Sequence, residues 1–252
     1  MNSPLITTEQ CGSYLIIRLN RPEKFNALTR ETILALSDIF TSLTEPSLRA
    51  VILTGAGDET FSAGTDLTEI AEPNQRELSQ ALFRRIDSCR VPVIAAVNGI
   101  AASEGCELAI ACHLRIASAN ARFSLLEARS GIVPTYGGME RLAREFGEEQ
   151  ALEMLTGKGV SAEEALRLGL VNHVVPAARL LAQAEDLARE IAQLAPLAIR
   201  ACLEAVNQGI QLPLAEGLAL ETKLFASLFD TDDVREGTSA FLEKRSPVFK
   251  GT

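Results

Sequence analysis

The sequence predicts an α/β core followed by an all-helical tail. Short apolar runs alternate with amphipathic stretches of helical period over the first two thirds of its 252 residues. From Gly138 onward the patterns are mainly helical. No repeat of fixed period and no low-complexity tract interrupts either part. Strands mixed with helices, then helices alone, are what an α/β unit with a helical appendage requires.

Each element follows from its residues. Tyr14-Leu-Ile-Ile-Arg-Leu19 reads as a strand that stops at Asn20-Arg-Pro22. Thr29 caps a helix over 30–43, whose Ile33, Leu36, Ile39, Phe40 and Leu43 share one face. A second strand covers 50–54 and ends at Gly55-Ala-Gly57, and a helix follows near 78–88. A third, buried strand over 93–97 turns at Asn98-Gly99. The stretch 105–112 is apolar nearly all round, so its helix is expected deep in the core. Short strands over 114–118 and 122–125 complete the mixed part. Ser161-Ala-Glu-Glu164 is a capping-box pattern for a helix ending near Gly169. Helices are then expected over 177–194, 197–208, 214–229 and 233–244, with Pro196 and Pro213 at two starts. Asp230, Asp232 and Asp233 flank the last start, where the helix dipole favours acids.

Composition excludes several classes of function. Asp and Glu outnumber Lys and Arg by 33 to 24, a net charge of −9, so no nucleic-acid partner acting through a broad basic surface is expected. The two histidines, His113 and His173, and five scattered cysteines form no C-x-x-C or H-E-x-x-H spacing, so no metal site is expected. An odd number of cysteines in apolar surroundings reads as reduced thiols of a cytoplasmic protein. Residues 1–10 lack the pattern of a secretory leader. The apolar stretch 91–102 is too short to span a bilayer, so no membrane association is expected. No G-x-G-x-x-G, P-loop or G-x-S-x-G pattern occurs.

Two carboxylates stand out. Glu107 lies among Cys106, Leu108, Ala109, Ile110 and Ala111, where an acid must be paired, protonated or functional. Glu127 follows a short strand and precedes Gly131-Ile-Val-Pro134; alone it reads first as a loop acid paired with Arg129 or Arg122 and only weakly as a functional group. Two turns offer backbone donors, Phe61-Ser-Ala-Gly-Thr-Asp-Leu67 and the helix start Ser103-Glu-Gly105. Two such N–H groups aimed at one carbonyl oxygen make an oxyanion hole. His113 ends the buried helix, where a partly charged imidazole suits the dipole, and both histidines read as structural.

Taken in order, these segments resemble the crotonase superfamily, specifically its enoyl-CoA hydratases and isomerases. The stretches are Leu19-Asn-Arg-Pro-Glu-Lys-Phe-Asn-Ala-Leu28, Phe61 to Leu67, Pro92 to Gly99 and Gly105-Cys-Glu-Leu-Ala-Ile-Ala-Cys112. Ala121 to Glu127, Gly131-Ile-Val-Pro134, Gly137-Gly138, Ser161 to Val171 and the C-terminal Lys244-Arg-Ser-Pro-Val-Phe-Lys-Gly251 continue it. The resemblance implies a spiral of ββα turns over residues 1–195 and a helical trimerisation region over 196–252. It implies an acyl-CoA thioester as substrate, no cofactor beyond it, and a homotrimer or dimer of trimers. The thioester oxygen is then held by the N–H groups of Ala63 and Glu104, and a water lies between Glu107, the base, and Glu127, the acid toward Cα. Lys24, Ala27, Gly64, Thr65, Asp66, Leu67, Gly105 and Tyr136 are the implied substrate contacts. Retention of both glutamates favours 2-enoyl-CoA hydration over Δ3–Δ2 isomerisation or mere acyl-CoA binding.

One departure matters most. Glu104 stands where the family usually has glycine. Its side chain is expected to turn outward to a cation, ahead of narrowing the acyl pocket or acting as an additional acid or base. Because a CoA ester carries several phosphate charges and the chain is acidic, the cations that meet it must be few. Lys24 is the first candidate, with Lys244, Arg245 and Lys250.

Overall fold

The computed structural model describes residues 4–66, 68–69, 74–125, 127–156 and 159–252. Two sheets are wound by one repeating path. β1 (Ile6–Cys11) and β2 (Tyr14–Leu19) form an antiparallel hairpin, and α1 (Arg30–Ser42) follows, capped as expected by Thr29, whose side chain accepts from Thr32 N. Then β3 (Ala50–Gly55), β5 (Val93–Val97) and β7 (Leu114–Ser118) join β2 in parallel. Each is followed within a few residues by a partner for the second sheet: β4 (Thr60–Ser62), β6 (Ile100–Ala102) and β8 (Arg122–Ser124). The first sheet runs β1-β2-β3-β5-β7-β10 and the second β4-β6-β8-β9, closed by β9 (Val160–Ser161) and β10 (His173–Val175). Helices α2 (Gln75–Asp87) and α3 (Glu104–Ala111) leave the second sheet after β4 and β6, so each turn of the chain is β, β, α.

The corners between the sheets explain Asn98-Gly99. The Asn98 amide donates to Gly57 O at 2.8 Å and Thr60 O at 3.1 Å, and its Oδ1 accepts from Gly55 N. A Cβ on Gly99 would meet Glu59 O at 2.0 Å, so only glycine passes there.

Strands β3 and β5 are buried along their whole length because both faces of the first sheet are covered. On one face α1, α2 and α3 close the main core; on the other Leu180, Ala184 and Ala188 of α7 (Leu180–Ala192) meet Ile16, Ile52, Ile94 and Ile116. All eight residues of α3 are buried, as its sequence required. Along the chain between β8 and α7 come α4 (Gly138–Phe146), α5 (Glu148–Thr156) and α6 (Ala162–Leu168), the last with both bonds of its capping box. The tail is α8 (Pro196–Gly209), α9 (Leu214–Leu228) and α10 (Asp232–Glu243), and neither α8 nor α9 has a buried residue.

Candidate active site

The site forms where α3 leaves the second sheet. Ser103, at a φ of +52°, turns the chain out of β6, and its N–H donates to Ser124 O at 2.8 Å. A helix start leaves its first N–H groups without intrahelical partners. Gly64, at a φ of +89°, packs against this start; a Cβ there would stand 2.9 Å from both Ala102 O and Glu104 N. The missing side chain lets the two backbones meet and brings Thr65 beside Glu104. Among the described residues, neither the Thr65 nor the Glu104 N–H donates to a protein oxygen.

This corrects the expectation for Ala63. Its N–H already donates to Phe25 O at 3.0 Å and has no capacity for a ligand oxygen. The segment around it is laced to residues 25–28: Leu28 N donates to Gly64 O, Asp66 N donates to Leu28 O, and Thr65 pairs in parallel with Leu28. In such a bridge the intervening N–H, that of Thr65, faces away from the partner strand. The sequence signal that finds Thr65 is its place just after the glycine that must turn.

Two carboxyls flank this opening. Glu107 on α3 is 1% exposed, and its Oε1 accepts from Tyr136 N at 2.9 Å and Gly138 N at 2.8 Å. Gly138 opens α4, and a Cβ on it would stand 2.8 Å from Glu107 Cγ, which explains the Gly137-Gly138 pair. Burial pushes the Glu107 carboxyl up to about 7; the two N–H bonds restrain that rise, and the Glu127 and Glu104 carboxyls add to it. Glu127 is half-buried at the start of a single 3-10 turn, Glu127–Ser130. Burial raises its pKa too, opposed by its own N–H and by the Ser103 hydroxyl. Its Oε2 has no partner among the described residues.

Glu104 does not turn outward to a cation. It is 2% exposed, and its Oε2 accepts from the Thr65 hydroxyl at 2.5 Å. The α3 axis points this first-turn side chain back into the gap between Thr65 and α2. Burial raises its pKa, tempered by the nearby Ser79 and Thr65 hydroxyls.

The remaining residues divide. The Tyr136 ring meets Phe83 edge-on at 5.6 Å, and its backbone holds Glu107. Thr65 and Gly64 border the opening, whereas the Asp66 carboxylate accepts from the Thr68 hydroxyl and N–H, which chiefly lower its pKa, and pairs with Arg21 at 3.1 Å. Arg21 also donates to Ala27 O, so Asp66 and Ala27 brace the wall of the site. Gly105 packs closely on one side: a Cβ on it would meet Ser62 O at 2.2 Å, so β4 fills that side. Lys24 is exposed at the end of the 3-10 turn Pro22–Lys24. Leu67 lies outside the described residues. Arg245 is not available to a distant phosphate, because it pairs with Glu236 at 2.6 Å and Glu243 at 2.7 Å. His113 is not a partly charged helix end: Nδ1 accepts from Val93 N, Nε2 faces Asp87 O, and burial lowers its pKa. A cavity of about 660 Å³ beyond Tyr136, among α2, α4 and α8, is lined by none of Thr65, Glu104, Glu107 and Glu127 and is separate from this site.

The chain is similar to known proteins over nearly its whole length. The family model described as enoyl-CoA hydratase/isomerase matches residues 9–252. The chain is 40% identical to the short-chain-enoyl-CoA hydratase of Clostridium acetobutylicum over 95% of each chain. It is also 40% identical to the crotonyl-CoA hydratase of Syntrophomonas wolfei over 97% of each. The crystal structure of an enoyl-CoA hydratase from Bacillus anthracis superposes with a TM-score of 0.96 at 38% identity, covering 99% of this chain and 100% of that one.

Proposed function

This chain belongs to the enoyl-CoA hydratase/isomerase family, and from that premise we propose that it adds water across the 2,3 double bond of a 2-enoyl-CoA thioester. The observation that supports this reading is the pair of interacting carboxyls, Glu107 and Glu127, beside two unpartnered N–H groups. The thioester oxygen lies against the Thr65 and Glu104 N–H groups, with Ala63 replaced in that role. As water adds to Cβ, the electron pair of the double bond moves through Cα and the carbonyl carbon onto this oxygen. Two donors held ready for that charge are worth about 3 kcal/mol each in the transition state. Glu107 Oε1 is committed to two backbone donors, so Oε2 meets the water and takes its proton. Glu127 delivers a proton to Cα, and the enolate collapses to the 3-hydroxyacyl thioester.

The roles require one proton on the pair. Each carboxylate disfavours ionisation of the other, so the two titrate as a unit. In the free chain burial raises both carboxyls, Glu107 to about 7; a thioester seated over half-buried Glu127 strips its remaining water and holds the shared proton there. The chemistry closes with no metal or redox group.

We further propose a homotrimer or dimer of trimers, with residues 1–195 as catalytic core and 196–252 as the region that joins copies. Phe225, Phe229, Phe241 and Leu242 on the tail support this, being exposed in the single chain. Lys24, exposed just before residues 25–28 that are bonded to the Ala63–Asp66 segment, is the first candidate cation for the CoA phosphates. Five cysteines without a disulfide support a cytoplasmic setting.

Crotonyl-CoA losing its conjugated absorbance tests the reaction; 3-enoyl-CoA gaining it without crotonyl-CoA hydration would instead mean isomerisation. Glu107→Gln and Glu127→Gln are each expected to lower hydration by ~10²-fold or more with the fold retained. Near-native rate in either removes the two-glutamate mechanism.

A further inference from the structure

The shortest polar contact in the site joins the side chains of the two residues whose N–H groups line the opening. Thr65 lies on an isolated bridge to Leu28, and Glu104 is the first residue of α3. The two stand 39 positions apart, each three residues past the Ser62↔Ala101 pairing of β4 with β6. Beyond that pairing their backbones approach at Gly64, a residue of wide conformational freedom, and where Gly105 meets Ser62 O. We infer that Glu104 is a positioning residue for the thioester-oxygen cradle: its carboxyl, clasping the Thr65 hydroxyl through Oε2, holds the two N–H groups at one spacing, and it does so while carrying a proton. The inference rests on the hydratase reading above.

The surroundings of the carboxyl support the protonated form. Glu107 faces it from α3, Tyr136 from the loop before α4, and the Ser79 hydroxyl from α2. Next to Thr65, Asp66 is turned away to Arg21. Among the described residues no Lys, Arg or His acts on the Glu104 carboxyl, which is 2% exposed. An anion held there would sit beside the negative charge that develops on the thioester oxygen and would oppose it. A neutral carboxyl keeps the bond to Thr65 without that opposition. Oε1 and Ser79 Oγ are both buried without a partner, so a proton on Oε1 has an oxygen open to it.

The test is steady-state hydration of crotonyl-CoA by the intact protein, with Tm recorded for every variant. Thr65→Val and Glu104→Gly are each expected to lower kcat at least ~10-fold, less than the ~10²–10³ that loss of a whole donor costs, with KM changed much less. The double variant is expected to be no slower than the slower single, because both remove one bond. Thr65→Ser restores the hydroxyl and should recover most of the loss. Glu104→Gln, which keeps an acceptor but cannot ionise, should lose less kcat than Glu104→Gly and flatten the alkaline limb of the pH profile. Native kcat in Thr65→Val and Glu104→Gly, additive losses in the double variant, or an alkaline limb unchanged in Glu104→Gln would each overturn the inference. Absence of crotonyl-CoA hydration by the native protein would instead overturn the reading on which it rests.

Discussion

Glu107 shows how one residue trades stability for chemistry. Its carboxyl titrates at about 7 in the fold, against 4.5 for an ordinary glutamate. Between those values the folded chain holds a proton that the unfolded chain has released. Stability from this group is therefore fully present below about pH 4.5 and lost as pH rises through about 7. The displacement amounts to about 3 kcal/mol above pH 8. Glu107→Gln has no charge to bury, and its side-chain oxygen still accepts from Tyr136 and Gly138. It is expected to unfold several degrees higher than the native chain at pH 8.5 and at nearly the same temperature at pH 4, as thermal unfolding at the two pH values will show. Equal Tm at both would mean that Glu107 ionises normally in the fold. The burial of this acid was legible in its apolar neighbours. Its partners were not, because Tyr136 and Gly138 lie 29 and 31 positions away and donate through their backbones.

At the scale of elements, precision comes from close approaches. Helix α4 begins on a glycine because its first N–H must reach Glu107 and a side chain would block the way. Gly138→Ala places a Cβ 2.8 Å from Glu107 Cγ, and either α4 or the carboxyl must shift. A displacement of this kind costs ~10²-fold in kcat at a site that depends on alignment. The measurement is kcat for crotonyl-CoA with circular dichroism to monitor the helices; native kcat would show that the carboxyl needs no such fixed seat. Long elements were readable: the helices over 30–42, 196–209, 214–228 and 232–243 lie within two residues of expectation. The strands Thr60–Ser62 and Ile100–Ala102 were not, since three residues cannot display a period of two. Strand Ile6–Cys11 was missed for another reason: it is a polar edge strand with no face buried.

At the scale of the whole molecule, the apolar residues left outside are as informative as the core. Phe241 is 83% and Leu242 75% exposed on α10, and Leu214 is 79% exposed on α9. Patches of this kind mark association surfaces, and burying each such side chain is worth roughly 1.5–3 kcal/mol. Changing both Phe241 and Leu242 to Asp is expected to shift sedimentation from the mass of the proposed trimer toward the monomer. An unchanged mass would place the contact between copies elsewhere. The net charge of −9 narrows the anion-binding part of the surface to a few cations. With Arg245 engaged by two glutamates, Lys24 gains weight among them.

The sequence by itself determined the α/β class, the buried α3 and the family, and it singled out Glu107 and Glu127 as the candidate pair, because period, burial and motif order are local or linear properties. Only the tertiary structure decided which N–H groups are free and where Glu104 points. Ala63 and Thr65 look alike as turn residues; hydrogen bonds to residues 25–28 consume one N–H and spare the other. Glu104 looks like a surface acid at a helix start; the close approach at Gly64 instead seals it against Thr65, where no solvent or cation reaches it. Both outcomes depend on segments distant in sequence meeting in space, which no window along the chain contains.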